Sequence, residues 1–125
     1  MIEPWSPILL AYVGDAVFEL YVRQKIVSEK ALPIRQVHKK TTRLVRASGQ
    51  DVALRALESH LTEEETDVVR RGRNTKSRVP KNADMSVYRR ATGFEALLGW
   101  LYLHKKIERL DQLLDMIEIG EEETE

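Results

Sequence analysis

Apolar residues recur with helical spacing along nearly the whole chain, and no segment alternates apolar and polar residues as a half-buried strand does. The first apolar segment runs from Ile8 to about Ser28. It follows Ser6 and Pro7, a pair that favours a helix start because serine caps free amides and proline fits the first turn. The segment is apolar on nearly every side, so we predict a central, buried helix.

The same helical spacing of apolar residues in the rest of the chain predicts five further helices. Together they form a single all-α domain over residues 1–120. Their expected positions are the stretch after Pro33, interrupted at Gly49; Asp51 to His60; a helix from the capping box of Thr62 and Glu65 to about Gly72; Asp84 to Lys106; and Ile107 to Ile119. We expect an exposed loop over residues 72–83 and a disordered acidic tail over residues 121–125.

The composition excludes several classes of protein. A chain of 125 residues suits one domain with its own core, and the absence of cysteine excludes disulfides, a thiolate nucleophile and cysteine-based zinc sites. No apolar run approaches the roughly 18 residues that a membrane-spanning helix needs, and the N-terminus lacks the basic and apolar regions of a secretory leader. We therefore expect a cytoplasmic protein with no membrane partner.

The charges are segregated, although the 20 basic and 20 acidic residues cancel. Residues 70–90 carry a net charge of +7, so the rest of the chain carries −7. A run of charges is often only a solvated surface, but a basic, glycine-containing loop in an otherwise acidic protein favours contacts with nucleic-acid phosphates. The candidate RNA-binding residues are Arg71, Arg73, Asn74, Lys76, Arg78 and Lys81, with a weaker second patch at Arg35, Lys39 and Arg43.

Two carboxylates stand in apolar surroundings, Asp15 in the first helix and Glu95 in the fifth. Burying an ionised carboxylate is costly unless it is paired or binds a metal. Asp15 follows Gly14, and Glu95 lies between Gly93 and Gly99. Glycine inside a helix is unfavourable and is usually kept where two backbones approach closely. A crossing at these glycines would bring the two carboxylates together, and a cation such as Mg²⁺ or Mn²⁺ would relieve their repulsion.

A structural ion pair would explain the same carboxylates, because Arg23 and Lys25 are nearby in the sequence. Glu19 lies one turn from Asp15 and either extends the site or pairs with Arg23, the partner that the i,i+4 spacing favours. Under the metal hypothesis, carboxylate-held Mg²⁺ indicates phosphodiester hydrolysis, because the ion activates water and stabilises the charge on the leaving oxygen.

Two blocks of sequence resemble the signature motifs of the ribonuclease III family. Residues 10–17 read Leu-Ala-Tyr-Val-Gly-Asp-Ala-Val, and residues 91–99 read Ala-Thr-Gly-Phe-Glu-Ala-Leu-Leu-Gly. The segments 72–76 and 80–84 resemble a loop of the Mini-ribonuclease III branch, whose members lack a double-stranded-RNA-binding domain. The resemblance covers nearly the whole chain.

This resemblance implies a ribonuclease III endonuclease-domain fold that forms a homodimer, with duplex RNA held between the two copies. Asp15 and Glu95 would be the Mg²⁺ ligands and the catalytic residues, with Mn²⁺ able to substitute. The implied reaction is endonucleolytic cleavage of double-stranded RNA that leaves 5′-phosphate and 3′-hydroxyl ends. The implied role is maturation of the large-subunit ribosomal RNA precursor, with a ribosomal protein as a further partner.

The chain departs from the family pattern at two positions. Where the family usually has four carboxylates around its metals, Ala11 stands in place of a glutamate and Thr92 in place of an aspartate. We therefore expect weaker metal binding. Two other functions stay open: an inactive RNA-binding factor of the same fold, which metal-dependent cleavage would exclude, and a helical interaction protein, which binding of duplex RNA at low salt would exclude.

Overall fold

The computed structural model describes residues 3–75 and 79–117, and this part of the chain is all-helical with no strand. Its helices are α1 (Pro7–Glu29), α2 (Ile34–Val45), α3 (Ala47–Leu57), α4 (Glu63–Arg73), α5 (Met85–Leu103) and α6 (Ile107–Asp115), with a 3₁₀ turn at Glu58–His60. The all-α prediction is confirmed. The predicted acidic tail and the RNA-binding candidates Lys76 and Arg78 lie outside the described residues.

Local sequence signals set several of the helix starts. The Ser6 hydroxyl accepts a hydrogen bond from the Leu9 amide at 3.3 Å, as the capping pattern predicted. Thr62 and Glu65 form both bonds of the predicted capping box, at 3.1 Å and 2.9 Å. These bonds satisfy amides that the first helical turn leaves free, so the starts of α1 and α4 could be predicted from the sequence alone.

The prediction that Gly49 ends the second helix is wrong. The chain turns at Arg46, whose backbone is extended, and Gly49 lies inside the first turn of α3. A Cβ at Gly49 would lie 2.4 Å from the Leu44 carbonyl oxygen. Gly49 is therefore needed because α3 begins directly against the end of α2.

The central helix is α5, which packs against α1, α3, α4 and α6. Every residue from Ala91 to Leu101 is buried except the half-buried Glu95. The prediction that α1 is buried on all sides is wrong for the single chain. One face of α1 packs on α5, where the Phe18 and Phe94 rings meet edge to face at 4.9 Å. The opposite face leaves Leu9, Tyr12, Leu20 and Val27 exposed.

Glycines allow the closest helix crossings. A Cβ at Gly14 would lie 1.7 Å from the Glu95 carbonyl oxygen, and one at Gly99 would lie 1.8 Å from the Leu10 carbonyl oxygen. The backbones of α1 and α5 therefore touch, as the glycines predicted. Gly93 does not join this crossing. It faces α4, where a Cβ at Gly72 would lie 2.9 Å from the Gly93 Cα.

Two buried ion pairs join helices that are distant in the sequence. Glu65 of α4 accepts two hydrogen bonds of 2.8 Å from the Arg109 guanidinium of α6. Asp51 of α3 accepts bonds of 2.6 Å and 3.1 Å from Arg90 of α5. Bidentate pairs of this kind fix the relative rotation of the helices that carry them. No helix in the described ranges is long and apolar enough to cross a membrane.

Candidate active site

The crossing of α1 and α5 places Asp15 against Glu95. Asp15 is the residue after Gly14, and Gly14 packs directly on the backbone carbonyl of Glu95. The two side chains interact electrostatically and line one cleft of about 370 Å³. The structure thus brings together the two carboxylates that the sequence singled out. Asp15 is exposed in this cleft, so the expectation that it is buried is wrong.

The electrostatics of the pair are unfavourable. The pKa of Glu95 is raised to about 8, chiefly by burial and also by the neighbouring Asp15 carboxyl, while a hydrogen bond from Gln50 acts to lower it. At neutral pH and without a cation, Glu95 therefore retains its proton. The site would lose this proton on binding a positive charge.

Gln50 is the residue of the site that the sequence analysis missed. Its side chain is 2% exposed, and its Nε2 donates to Glu95 Oε2 at 2.9 Å and to the Val45 carbonyl at 2.8 Å. Its Oε1 is buried and has no hydrogen-bond partner. One signal could have indicated it: Gln50 shares a helix face with the buried Ala53, Leu54 and Leu57.

The ion-pair alternative for the two carboxylates is wrong, because the cations that it invoked are paired elsewhere. Arg23 donates to Glu19 at 3.0 Å, and Lys25 lies 3.4 Å from Glu29. Glu19 therefore follows its i,i+4 spacing and pairs with Arg23 rather than joining the site. Within residues 3–75 and 79–117, no group of three or more histidine, aspartate or glutamate residues is placed to hold a metal.

The residues that line the cleft fit a divalent cation. Asp15 and Glu95 supply hard oxygen ligands, and the raised pKa of Glu95 indicates that the pair lacks a compensating positive charge. Gln50, whose buried Oε1 has no hydrogen-bond partner among the described residues, also lines the cleft. Mg²⁺ or Mn²⁺ bound there would offset the burial and the repulsion that raise the pKa of Glu95.

Comparison with known proteins decides the family. The family model described as "Ribonuclease III domain" matches residues 9–106, which is most of the chain. The chain belongs to the ribonuclease III family. It is therefore an endoribonuclease, and the matched region contains nearly all of α1, all of α5 and both carboxylates of the cleft.

The matches to similar proteins span most of this chain and most of each similar protein. The chain is 49% identical over 112 residues to a protein named Mini-ribonuclease 3 from Thermoanaerobacter sp. (strain X514), covering 89% of this chain and 79% of that protein. It is 42% identical over 118 residues to Mini-ribonuclease 3 from Clostridium tetani, covering 93% and 78%. The crystal structure of protein FN1578 from Fusobacterium nucleatum superposes with a TM-score of 0.82 at 28% identity, covering 91% and 92%.

The two departures from the ribonuclease III pattern lie in the cleft itself. Ala11 and Thr92 both line it beside the carboxylates. The Thr92 hydroxyl donates to the Tyr88 carbonyl of its own helix at 3.1 Å, so its hydrogen is not directed toward the carboxylates. Neither position supplies a charged ligand, which supports the expectation of weak metal binding.

The described basic candidates fall on two surfaces. Arg73 and Asn74 line a cleft of about 360 Å³ together with Arg89, and Arg71 and Lys81 are exposed nearby in the chain. The second patch lies along α2, in a groove of about 970 Å³ that is lined by Arg35, Lys39 and Arg43 and whose described lining holds no carboxylate. Arg90 of the basic segment is instead committed to Asp51.

The raised pKa of Glu95 predicts a stability change with pH. The pKa is about 8 in the folded protein against an ordinary 4.5, so the folded state binds more protons between these values. Without metal, the free energy of unfolding should fall as pH rises from about 4.5 to about 8. Urea unfolding in a chelator should show this fall, and Glu95→Gln should remove most of it.

The exposed Glu108 offers a matched control, because Glu108→Gln removes a carboxylate of α6 far from Asp15 in the sequence. That variant should retain the pH dependence of the wild type. The same pH dependence in Glu95→Gln and wild type would contradict the raised pKa.

Proposed function

We propose that this protein is a Mg²⁺-dependent endoribonuclease that cuts double-stranded RNA, with Asp15 and Glu95 as metal ligands and catalytic residues. One observation carries the proposal: two carboxylates meet in an open cleft at the crossing of the family's two signature helices, with no lysine or arginine to neutralise them among the ion pairs of the described residues. A pair of hard oxygen ligands in this state requires a cation to become fully ionised.

The two carboxylates differ in what they would contribute. A bound Mg²⁺ or Mn²⁺ ion supplies an activated water and stabilises the charge that develops on the leaving oxygen, giving 5′-phosphate and 3′-hydroxyl ends. Asp15 is open to the cleft and would face a phosphodiester that enters it. Glu95 is half-buried; a bound cation would favour its ionised form, and the hydrogen bond from Gln50 would hold its orientation.

The exposed apolar face of α1 supports a homodimer. Leu9, Tyr12, Leu20 and Val27 lie along one face of the helix, and Tyr12 and Leu20 are 79% and 66% exposed. Several exposed apolar side chains on one helix face are unfavourable in water unless a partner covers them. We propose that a second copy of the chain covers it by a symmetric contact. Tyr12 also lines the cleft, so the dimer contact and the active site adjoin each other.

We propose that the two basic surfaces hold the phosphates of the duplex. The first contains Arg71, Arg73, Asn74 and Lys81, and Lys76 and Arg78 belong to the same stretch of sequence. The second is the groove along α2, whose last residue Val45 lines the active-site cleft. The basic groove therefore extends along α2 from the active-site cleft. An RNA backbone that enters the cleft could follow this groove.

The biological context is also a proposal. The resemblance to Mini-ribonuclease III supports a role in maturation of the large-subunit ribosomal RNA precursor, with a ribosomal protein as a partner that presents the RNA. A cytoplasmic location fits this substrate and the cysteine-free sequence. The domain limits of 1–120, with an acidic tail at 121–125, stay a prediction.

Cleavage of a long RNA duplex tests the activity. The wild type should cut it with Mg²⁺ and not with a chelator, and Asp15→Asn or Glu95→Gln should reduce the rate by about 10³-fold or more while duplex binding stays within a few-fold. A transcript of the large-subunit ribosomal RNA precursor should be cut at discrete positions. Binding without metal-dependent cleavage in the wild type would instead indicate the inactive RNA-binding alternative.

The salt dependence of RNA binding tests the first basic surface. Each phosphate contact contributes about one unit to the slope of log affinity against log salt, so Arg73→Ala with Lys81→Ala should lower that slope by about two. Arg55→Ala removes an exposed cation from α3 and serves as the control that leaves the slope unchanged. A flat salt response of the wild type would contradict the phosphate-binding role.

Sedimentation equilibrium tests the dimer. The wild type should sediment at twice the chain mass, and Leu20→Glu should sediment as a monomer because it places a charge in the proposed contact. Val52→Glu adds the same charge at an exposed apolar position of α3 and should stay dimeric. A wild type that is monomeric at the concentration of the cleavage assay would contradict the symmetric contact.

A further inference from the structure

We propose that Gln50 is a positioning residue that orients the Glu95 carboxylate and thereby sets the affinity of the site for its divalent cation. This inference rests on the proposed function, because it concerns the same cleft. It adds a residue from α3 to a site that the signature motifs place only on α1 and α5. Gln50 would touch neither RNA nor the reacting atoms, and it would act through Glu95.

The hydrogen bonds of Gln50 fix the orientation of its amide. The Val45 carbonyl is only an acceptor, and Glu95 Oε2 accepts as well, so the NH₂ group must face both of them at 2.8 Å and 2.9 Å. The Val45 bond holds the amide from one side and leaves the second N–H directed at Glu95. The donor is therefore in place before any cation binds.

The buried Oε1 of Gln50 has an energetic cost that an apolar side chain would not have. Gln50 Oε1 is buried without a hydrogen bond, which is unfavourable compared with an apolar side chain of similar size. A residue kept only to fill space would not carry this cost. The N–H bond to Glu95 is the contact that an apolar side chain could not make.

The backbone of Gln50 is fixed by its neighbours. Asp51 holds α3 to α5 through its two bonds to Arg90, and Gly49 allows the start of α3 to press against the end of α2. Gln50 therefore lies between two anchored residues. Side chains with such support hold a ligand more accurately than side chains on free surfaces.

The small number of carboxylates in the cleft makes the hydrogen bond from Gln50 to Glu95 more important. Ligating carboxylates are commonly hydrogen-bonded by a second residue, and loss of that residue typically lowers metal affinity or activity about 10- to 100-fold. Here Ala11 and Thr92 supply no carboxylate, so Glu95 is one of two acidic side chains that line the cleft within the described residues. An error in the orientation of Glu95 would then affect half of the acidic ligands.

The test measures Mn²⁺ binding to the protein without RNA, by electron paramagnetic resonance of the free ion. Gln50→Met keeps the length of the side chain and removes the donor, so it should weaken Mn²⁺ binding about 10- to 100-fold. Raising the metal concentration should restore most of the cleavage rate, with little change in the KM for RNA. The control Thr41→Val alters a buried hydroxyl of α2 whose bond stays within its own helix, and it should bind Mn²⁺ like the wild type.

A double-variant cycle shows whether Gln50 acts through Glu95. In a Glu95→Gln background, Gln50→Met should weaken Mn²⁺ binding no further, because the group that it orients has been replaced. An equally large additional loss would mean that Gln50 supports the general structure, and it would overturn the proposal. Unchanged Mn²⁺ affinity in Gln50→Met alone would overturn it as well.

A second variant covers the case in which Gln50→Met does not fold. Gln50→Leu is slightly smaller and apolar, so it removes the donor without adding a charge or a metal ligand. Mn²⁺ should raise its melting temperature less than it raises that of the wild type, because the site binds the cation more weakly. An Mn²⁺ response equal to that of the wild type would overturn the role of Gln50.

The outcomes separate this inference from the proposed function. A wild type that neither binds Mn²⁺ nor cleaves duplex RNA removes the proposed function and the inference together. A wild type that does both, beside a Gln50→Met variant with unchanged Mn²⁺ affinity, removes only the inference.

Discussion

The contact between the backbones of α1 and α5 is the constraint on which the rest of the site depends. At Gly14 and Gly99 there is no room for a Cβ, since the added atom would lie less than 2 Å from a carbonyl oxygen of the facing helix. Larger residues would hold the helices apart. Because Asp15 follows Gly14 and Gly14 rests on the backbone of Glu95, closeness of the backbones becomes closeness of the carboxylates. The glycine contact between α1 and α5 therefore also forms the active site.

This closeness creates an electrostatic problem that the other helices help to manage. The raised pKa of Glu95 records the cost of placing a carboxyl both out of water and beside Asp15. From α3, Gln50 stabilises the charged form with a hydrogen bond, and the Asp51–Arg90 pair fixes the distance between α3 and α5. The site thus needs a third helix, although its two carboxylates come from the other two.

The two faces of α1 serve different purposes. The buried face provides Gly14 and Phe18 to the packing against α5, while the opposite face exposes Tyr12 and Leu20 to solvent. This explains why the helix is apolar on nearly every side without being central in the single chain. If two copies of the chain pair through this apolar face, as proposed above, the contact between them lies beside the cleft of each copy. That contact would then set the distance between the two active sites that cut the two RNA strands.

The sequence by itself determined the features that depend on nearby residues. Helix periodicity, the caps at Ser6 and Thr62, and Gly14 and Gly99 as the contact points of two helices are local features, and each gave a correct prediction. Only the tertiary structure decided which helix is central, that Gly93 faces α4, that Arg90 leaves the basic surface for Asp51, and that Gln50 reaches Glu95. These contacts join residues about 20 to 45 positions apart, and their side-chain types are equally common on solvated surfaces. Their partners are set by how the helices pack, which no local pattern encodes.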